Sequence, residues 1–236
     1  MKKAVIILLV LLAGAGFTSC ILNTVKGNGN VKEEVRNCDS FDAVSVSRGM
    51  NVYVTQGPEI RVVVEADENL LDYIETDVND RTLRVTCTKG IMNAKSNKVK
   101  VTVPDLGMVK ATAGSNFYTE SPFKISQLEI RAAAGSNIHF TMEEGEAEVS
   151  ASAGSNIFLG GNTTSLKVKA NSGSNIKAGE LQAIKAEAKV SSGANIWISV
   201  VNELKAGASS GGNIFYTGSP AQTDINKSSG GNVIKN

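Results

Sequence analysis

Few residues of this 236-residue chain could do chemistry, and they do not converge. The one histidine, His139, would be the only imidazole able to serve as a general base near neutral pH. It stands alone in an alternating stretch and reads as a solvated surface group. The acidic run Glu143-Glu144-Gly145-Glu146-Ala147-Glu148 could hold a cation or supply paired carboxylates for sugar chemistry. Its plainer reading is a solvated loop between two elements. No Gly-x-Ser-x-Gly elbow, Walker loop or dinucleotide fingerprint occurs, nor a Gly-Gly-x-Gly-x-Asp calcium repeat. Cys38 and Cys87 have neither CxxC nor Cys/His spacing suited to zinc. The sequence therefore predicts no catalytic residue, no metal and no cofactor.

Two other sets of residues are placed by rule. A glycine and an asparagine two positions later return together at Gly114/Asn116, Gly135/Asn137, Gly154/Asn156, Gly173/Asn175, Gly193/Asn195, Gly211/Asn213 and Gly230/Asn232. Asparagine tolerates a left-handed backbone, and stacked copies can form a hydrogen-bonded ladder. A row of polar ligands for a glycan or ion is the functional alternative. Two residues beyond the asparagine come Tyr118, His139, Phe158, Lys177, Trp197, Phe215 and Ile234, and Tyr53 holds the same place after Gly49-Met50-Asn51. Aromatics make up only 5% of the chain, yet several of them, with the sole Trp, fall on this row.

The elements that must position these residues follow from the repeat. Its interval of roughly twenty residues is that of stacked repeat architectures. Five residues before each glycine stands an apolar side chain, from Val109, Ile130, Val149 and Val168 to Ala188, Ala206 and Ile225. Three before it stands Ala111, Ala132, Ala151, Ala170, Val190 or Ala208, with Lys227 in the last copy. Polar residues such as Arg131, Ser150, Lys169 and Lys189 alternate with them, which is strand periodicity. Each copy is then a strand, a Gly-rich corner, a second strand such as Ile196-Trp197-Ile198, and a looser corner. No copy can bury its own apolar face. Stacking at about 4.8 Å per rung buries a continuous column about 30–35 Å long. The short period, β-branched content and glycines exclude a helical solenoid. The predicted fold is an all-β solenoid with a thin core of small residues.

With Ile138, Ile157, Ile176, Ile196 and Ile214 inward, the row Tyr53, Tyr118, His139, Phe158, Trp197, Phe215 points outward and forms a stripe of rings. Exposed apolar stripes mark contact with something. Flat rings suit sugars, and they suit a protein partner equally. Cover by the chain's own N-terminal strands or by a second copy is the remaining reading.

The chain divides into four parts. Residues 1–19 carry Lys2 and Lys3, the apolar run Ala4–Ala13 and small residues before Cys20, as in a secretory signal. The apolar run falls short of a ~20-residue membrane span. Phe17-Thr18-Ser19-Cys20 resembles a bacterial lipoprotein cleavage box, with Cys20 the lipidated residue. Cleavage there takes the formal net charge from +1 to −1, and no basic patch stands out, so no nucleic-acid partner is expected. Residues 20–37 form a polar tether, 38–106 an irregular N-terminal β region that caps the column, and 107–236 the regular solenoid. A short helical turn is predicted over Glu68–Ile74. An oxidising envelope would permit a Cys38–Cys87 disulfide; two free thiols fit the sequence as well.

The order of Phe41-Asp42-Ala43-Val44, the degenerate copy Gly49-Met50-Asn51-Val52-Tyr53-Val54-Thr55-Gln56-Gly57, Val103-Pro104-Asp105-Leu106 and the Gly-Ser-Asn repeats resembles the auto-transporter adhesin family with a head GIN domain, found in Bacteroidetes envelopes. The resemblance covers nearly all of the chain after Cys20. It implies a right-handed parallel β-helix-like solenoid and a role in cell adhesion, and it brings no catalytic residues. The expected protein is thus a non-catalytic outer-membrane lipoprotein that binds a glycan, an envelope or host protein, or a second copy of itself. The alternatives are a periplasmic scaffold and, because parallel β-helices host polysaccharide lyases, a polysaccharide-acting enzyme. Ile21-Leu22-Asn23-Thr24 lacks the acidic run that resembles a surface-export signal, which points to a periplasm-facing anchor, with the cell surface as the alternative.

Overall fold

A computed structural model describes residues 23–236, so the signal segment expected over 1–19 and the expected lipidation residue Cys20 lie outside the described residues. The irregular part comprises β1 (Thr24–Lys26), β2 (Val31–Arg36), β3 (Ala43–Val46), β4 (Asn51–Gln56), β5 (Arg61–Asp67), β6 (Ile74–Asn79), β7 (Thr82–Cys87), β8 (Gly90–Met92) and β9 (Asn97–Val103). The regular part comprises β10 (Met108–Ala111), β11 (Asn116–Thr119), β12 (Phe123–Ala132), β13 (Asn137–Ala151), β14 (Asn156–Ala170), β15 (Asn175–Val190), β16 (Asn195–Ala208), β17 (Asn213–Thr217), β18 (Gln222–Lys227) and β19 (Asn232–Lys235). The helical turn predicted at Glu68 is a 3-10 turn over Glu68–Tyr73, held by buried Leu70.

The fold is a mostly parallel β-solenoid. Its rungs pair in register from one asparagine to the next, Asn116 opposite Asn137, Asn137 opposite Asn156, and so on to Asn232. The degenerate copy belongs to the same column: β3 pairs with β10 and β4 with β11, both parallel. Beyond it β7 and β9 add one more parallel layer. There the pattern changes, because β6 runs antiparallel to β7, and β5 antiparallel to both β9 and β2. Antiparallel strands and the 3-10 turn thus occupy the N-terminal end of the column, where an open stack would present an unpaired edge.

The tight corner has a defined backbone. Ala113 and Gly114 lie at φ 51° and 70°, and every later copy repeats the pair, down to Ser229 and Gly230 at 45° and 75°. Two consecutive left-handed residues make a type I′ turn, closed here by the Ser115 amide donating to the Thr112 carbonyl. The expectation that asparagine supplies the left-handed residue is corrected by this geometry. The glycine and the Ala or Ser before it turn the chain, and the asparagine opens the next strand. A side chain added at Gly154 would meet nothing within 4 Å, so only its φ of +70° demands glycine. Turns also stack on one another: the Gly135 amide donates to the Ala153 carbonyl at 3.1 Å, and Gly154 to Ser172 at the same distance.

The asparagines use their side chains to join the rungs. Each Nδ2 donates to the Oδ1 of the preceding copy, from Asn232 through Asn213, Asn195, Asn175, Asn156, Asn137 and Asn116 to Asn51, at 2.8–3.1 Å. Asn51 donates onward to Asn97, whose own amide closes the run on the Gly49 carbonyl. A second ladder lies just inside. Ser115, Ser136, Ser155 and Ser174 are fully buried, and each hydroxyl donates to a carbonyl of the rung below, such as Ser155 to Ala132 at 2.9 Å. Later copies carry Ala194, Gly212 and Gly231 at this place. At Gly212 the reason is packing, since an added Cβ would lie 2.9 Å from a Val190 methyl. The larger Val190 is accommodated by the smaller Gly212.

The looser corner is not a break. β13 to β16 run unbroken through it, bent where Gly145 and Gly161 take φ of 106° and 101°. A Cβ at Gly161 would stand 1.8 Å from the Met142 carbonyl oxygen, so close rung contact requires glycine there. The acidic run 143–148, expected as a loop, lies within the continuous strand β13.

The core is one column of inward apolar residues. Ile138, Ile157, Ile176, Ile196 and Ile214 are all fully buried, with Val109, Ile130, Val149 and Val168 facing them. In the last rung the inward Ile225 is 39% exposed, since no further described rung covers it.

The ladder predicts unequal effects along the column. Asn156→Ala removes a bond to each neighbour and should cost about 2 kcal/mol, whereas Asn232→Ala removes one exposed bond and should cost less than about 1 kcal/mol. Urea unfolding of the two variants measures this. Equal losses would show that the interior ladder has no special weight.

Candidate binding face

The outward row beside the asparagine ladder is a column of rings. Tyr53 stacks on Tyr118 at a centroid distance of 5.0 Å, Tyr118 on His139 at 5.0 Å, and His139 on Phe158 at 4.2 Å and only 7° from coplanar. Lys177 occupies the next rung, with its ammonium 5.0 Å from the Phe158 centroid. Trp197 and Phe215 resume the stack at 5.3 Å and 12°. Lys98 extends toward the opposite end, 5.8 Å from the Tyr53 ring. Every ring of the row is half-buried. Strand register dictates the alignment, since these residues are direct cross-strand partners. The rung repeat of ~4.8 Å falls within the favoured range for offset rings, so the backbone holds the rings at stacking distance.

His139 is therefore not a freely solvated side chain. Burial between Tyr118 and Phe158 pushes its pKa below the ordinary imidazole value. Desolvation, with a smaller effect of Tyr53, raises that of the Tyr118 phenol. Neither ring has a carboxylate partner that would suit acid–base work.

A groove of about 670 Å³ opens along this face, lined by His139, Thr141, Phe158, Gly160, Lys177, Gly179, Glu180 and Trp197 among others. Its size is within the range of small-ligand sites. The rings make one wall, and the glycines leave its floor without side chains.

The opposite face is different in kind. The row before the tight turn carries Lys110, Arg131, Lys169 and Lys189, and the adjacent row Glu129, Glu148, Lys167, Glu187 and Lys205. Lys169 pairs with Glu148 at 3.0 Å, Lys189 with Glu187 at 2.6 Å, and Arg131 with Glu129. Such exposed pairs neutralise one another and contribute little to stability. The acidic run 143–148 is dispersed along β13, with Glu143 3.5 Å from Lys124. No group of three or more His, Cys, Asp or Glu suited to a metal occurs among the described residues.

Two polar residues of the N-terminal end had escaped sequence reading. Asn97 joins the ladder although no glycine precedes it and it is offset by one from the strand register, where Asn51 faces Lys98. Asp67 is wholly buried and accepts from the amides of Gly29 at 2.7 Å and of Lys95 and Ser96 at 3.0 Å. Burial alone would raise its pKa, and the three amides outweigh that and hold it below the usual carboxylate range. Cys38 and Cys87 are free thiols, each directed at a carbonyl, of Thr76 and Arg48 respectively.

Residues 40–220 match the family model described as "Putative auto-transporter adhesin, head GIN domain". A "putative adhesin" from Bacteroides fragilis has a similar solved structure, with a TM-score of 0.77 at 19% identity over 90% of this chain and 100% of that one. A "putative lipid binding protein" from Parabacteroides distasonis superposes with a TM-score of 0.73 at 21% identity, covering 90% and 99%. A "putative adhesin" from Parabacteroides merdae does so at 0.68 and 23%, covering 91% and 99%. At these identities the likeness is one of fold. Among proteins with curated descriptions, none matches.

The stacked histidine gives a pH prediction. Its lowered pKa means that the unfolded chain takes up the proton first, so stability falls as pH drops below about 6.5. His139→Phe keeps a ring in the stack and removes that titration. The difference in urea midpoint between wild type and variant should widen in favour of the variant from pH 7 to pH 5. A constant difference would show that the imidazole is not desolvated in the fold.

Proposed function

The chain belongs to the auto-transporter adhesin family with a head GIN domain, and we propose that it is a non-catalytic cell-envelope protein that binds a glycan or protein partner through the aromatic face of its solenoid. One observation carries this reading. Rings that are scarce in the chain are gathered into a single outward column, with a groove beside it, while the opposite face is charged and carries lysines and arginine partly paired with glutamates. Burying a ring outward is unnecessary for the fold, because the inward positions already fill the core. Exposed aromatic rows are sites where contact with a partner yields the most binding energy per residue. The groups that would serve an enzyme are dispersed: His139 is sandwiched between rings, and the carboxylates of β13 are spread along a strand.

In this reading residues 1–19 direct export, and Cys20 carries the lipid that anchors the protein at the outer membrane, facing the periplasm or the cell surface. The antiparallel N-terminal end caps the column, and the aromatic face is left to meet its partner.

A glycan array probed with residues 21–236 tests the proposal, together with the variant Trp197→Ala, Phe215→Ala. The variant should keep its strand circular dichroism and melt within a few degrees of wild type. It should bind any recognised glycan roughly tenfold more weakly or worse, the scale of losing aromatic anchors. A protein partner, if the array is silent, should show the same loss. Binding that survives the double substitution removes the aromatic face from the function, and unfolding of the variant would make these rings core.

A further inference from the structure

The ring column between Tyr53 and Phe215 is interrupted at one rung. Lys177 stands where the repeat would place another ring, opposite Phe158 on one side and Trp197 on the other. Its ammonium lies over Phe158, at 5.0 Å. Among the described residues Trp197 stacks on Phe215 alone, and the indole face that looks toward the Lys177 rung has no described ring against it. Phe158 and Trp197 are two rungs apart, about 9.6 Å at the solenoid repeat. Between them lies the Lys177 side chain, whose ammonium sits on the Phe158 side and leaves the facing side of Trp197 to a ligand entering from the groove.

The groove at this point is apolar on one wall only. Thr141 and Glu180 bring a hydroxyl and a carboxylate to it. Gly160 and Gly179 floor it, and a side chain added at Gly179 would meet nothing within 4 Å. Lys177 is also distinct from the lysines of the opposite face. Lys169 and Lys189 each have a glutamate partner, whereas Lys177, like Lys110, Lys167 and Lys205, forms no ion pair among the described residues; what sets Lys177 apart is its place beside the rings. A half-buried aromatic face, an unpaired cation beside it and polar groups around it are the elements that recognise a sugar ring bearing an acid.

We propose that the interruption is a subsite for an acidic saccharide, in which a pyranose lies flat on the free face of Trp197 and its carboxylate pairs with the Lys177 ammonium. The proposal rests on the reading of the aromatic face as the binding surface, and it names the ligand class. Thr141 and Glu180 are placed to hydrogen-bond the ring hydroxyls. An aromatic side chain of a partner protein would fill the same slot but would leave Lys177 without a counter-charge.

Calorimetric titration of residues 21–236 with hyaluronan, galacturonate and mannuronate tetrasaccharides tests this, each beside its carboxyl-reduced counterpart. At least one uronate should bind, and its reduced form should bind roughly five- to tenfold more weakly, the scale of a charge-assisted contact at a half-exposed site. Lys177→Gln should lose the same factor toward the uronate and nothing toward the reduced sugar, and Lys177→Arg should recover most of it. Trp197→Ala should weaken both. Equal binding of reduced and acidic sugars, or unchanged binding by Lys177→Gln, overturns the acidic subsite. If the uronates are silent while another ligand binds in a Trp197-dependent way, the subsite assignment fails and the aromatic face stands. Uronate binding indifferent to Trp197→Ala overturns both.

Discussion

In-register stacking of the tight turns is the constraint on which everything else in this molecule depends. A parallel stack has no hairpins to fix its register, and a slip of one residue would exchange inside for outside along a whole rung. The turn prevents that slip in three ways at once. The left-handed pair sets where the chain reverses, the turn glycine's amide bonds the turn above, and the asparagine side chain bonds the asparagine below. The buried serines add a hydroxyl bond across the same interval. An asparagine displaced by one residue would face a carbon, and its half-buried amide would lose both partners. Each rung therefore aligns the next, and a chain of such bonds is strengthened by its own length.

Once register is fixed, every outward position becomes a row. Tyr118, His139 and Phe158 touch because their asparagines touch, and Lys169 reaches Glu148 of the neighbouring rung for the same reason. The rings need no side-chain framework of their own to be held parallel. Centroid distances of 4.2 to 5.3 Å follow the rung repeat rather than any local optimum of each pair. A surface built in this way is rigid and periodic, and its chemistry can be altered one rung at a time without disturbing the fold.

The repeat made the column, the corner glycines and the inward residues legible from sequence, because each is a consequence of period and alternation. The positions of the rings followed from the same arithmetic, two residues beyond each asparagine. What escaped the sequence reading lay where the period fails. Asn97 sits in a strand without the glycine that marks the other copies, and its place in the ladder comes from three-dimensional packing against Asn51. Asp67 could not be read as buried, since the amides that hold it come from residues 29, 95 and 96, far from it along the chain. The acidic run at 143–148 was misjudged for a different reason. Polar composition suggests a loop, but in a solenoid an outward strand position is as open to water as a loop, and composition cannot separate the two.

The core has a gradient of its own. In its first regular rungs it is filled by Phe117, Phe123, Phe140 and Met142, while β15 buries Ala178, Ala183, Ala186 and Ala188. Burial of an alanine contributes much less than burial of a phenylalanine, so the distal rungs rely more on the backbone and asparagine bonds than on the hydrophobic effect. In a stack where each rung contacts only its neighbours, such a gradient makes the C-terminal described rungs the first to loosen. The ring column runs along this gradient, with Tyr118 and His139 beside the rungs that bury phenylalanines and Trp197 and Phe215 further along. A ligand that bridges Phe158 and Trp197 would tie the weaker rungs to the stronger, so occupancy of the face and integrity of the distal column are coupled through the same bonds that set the register.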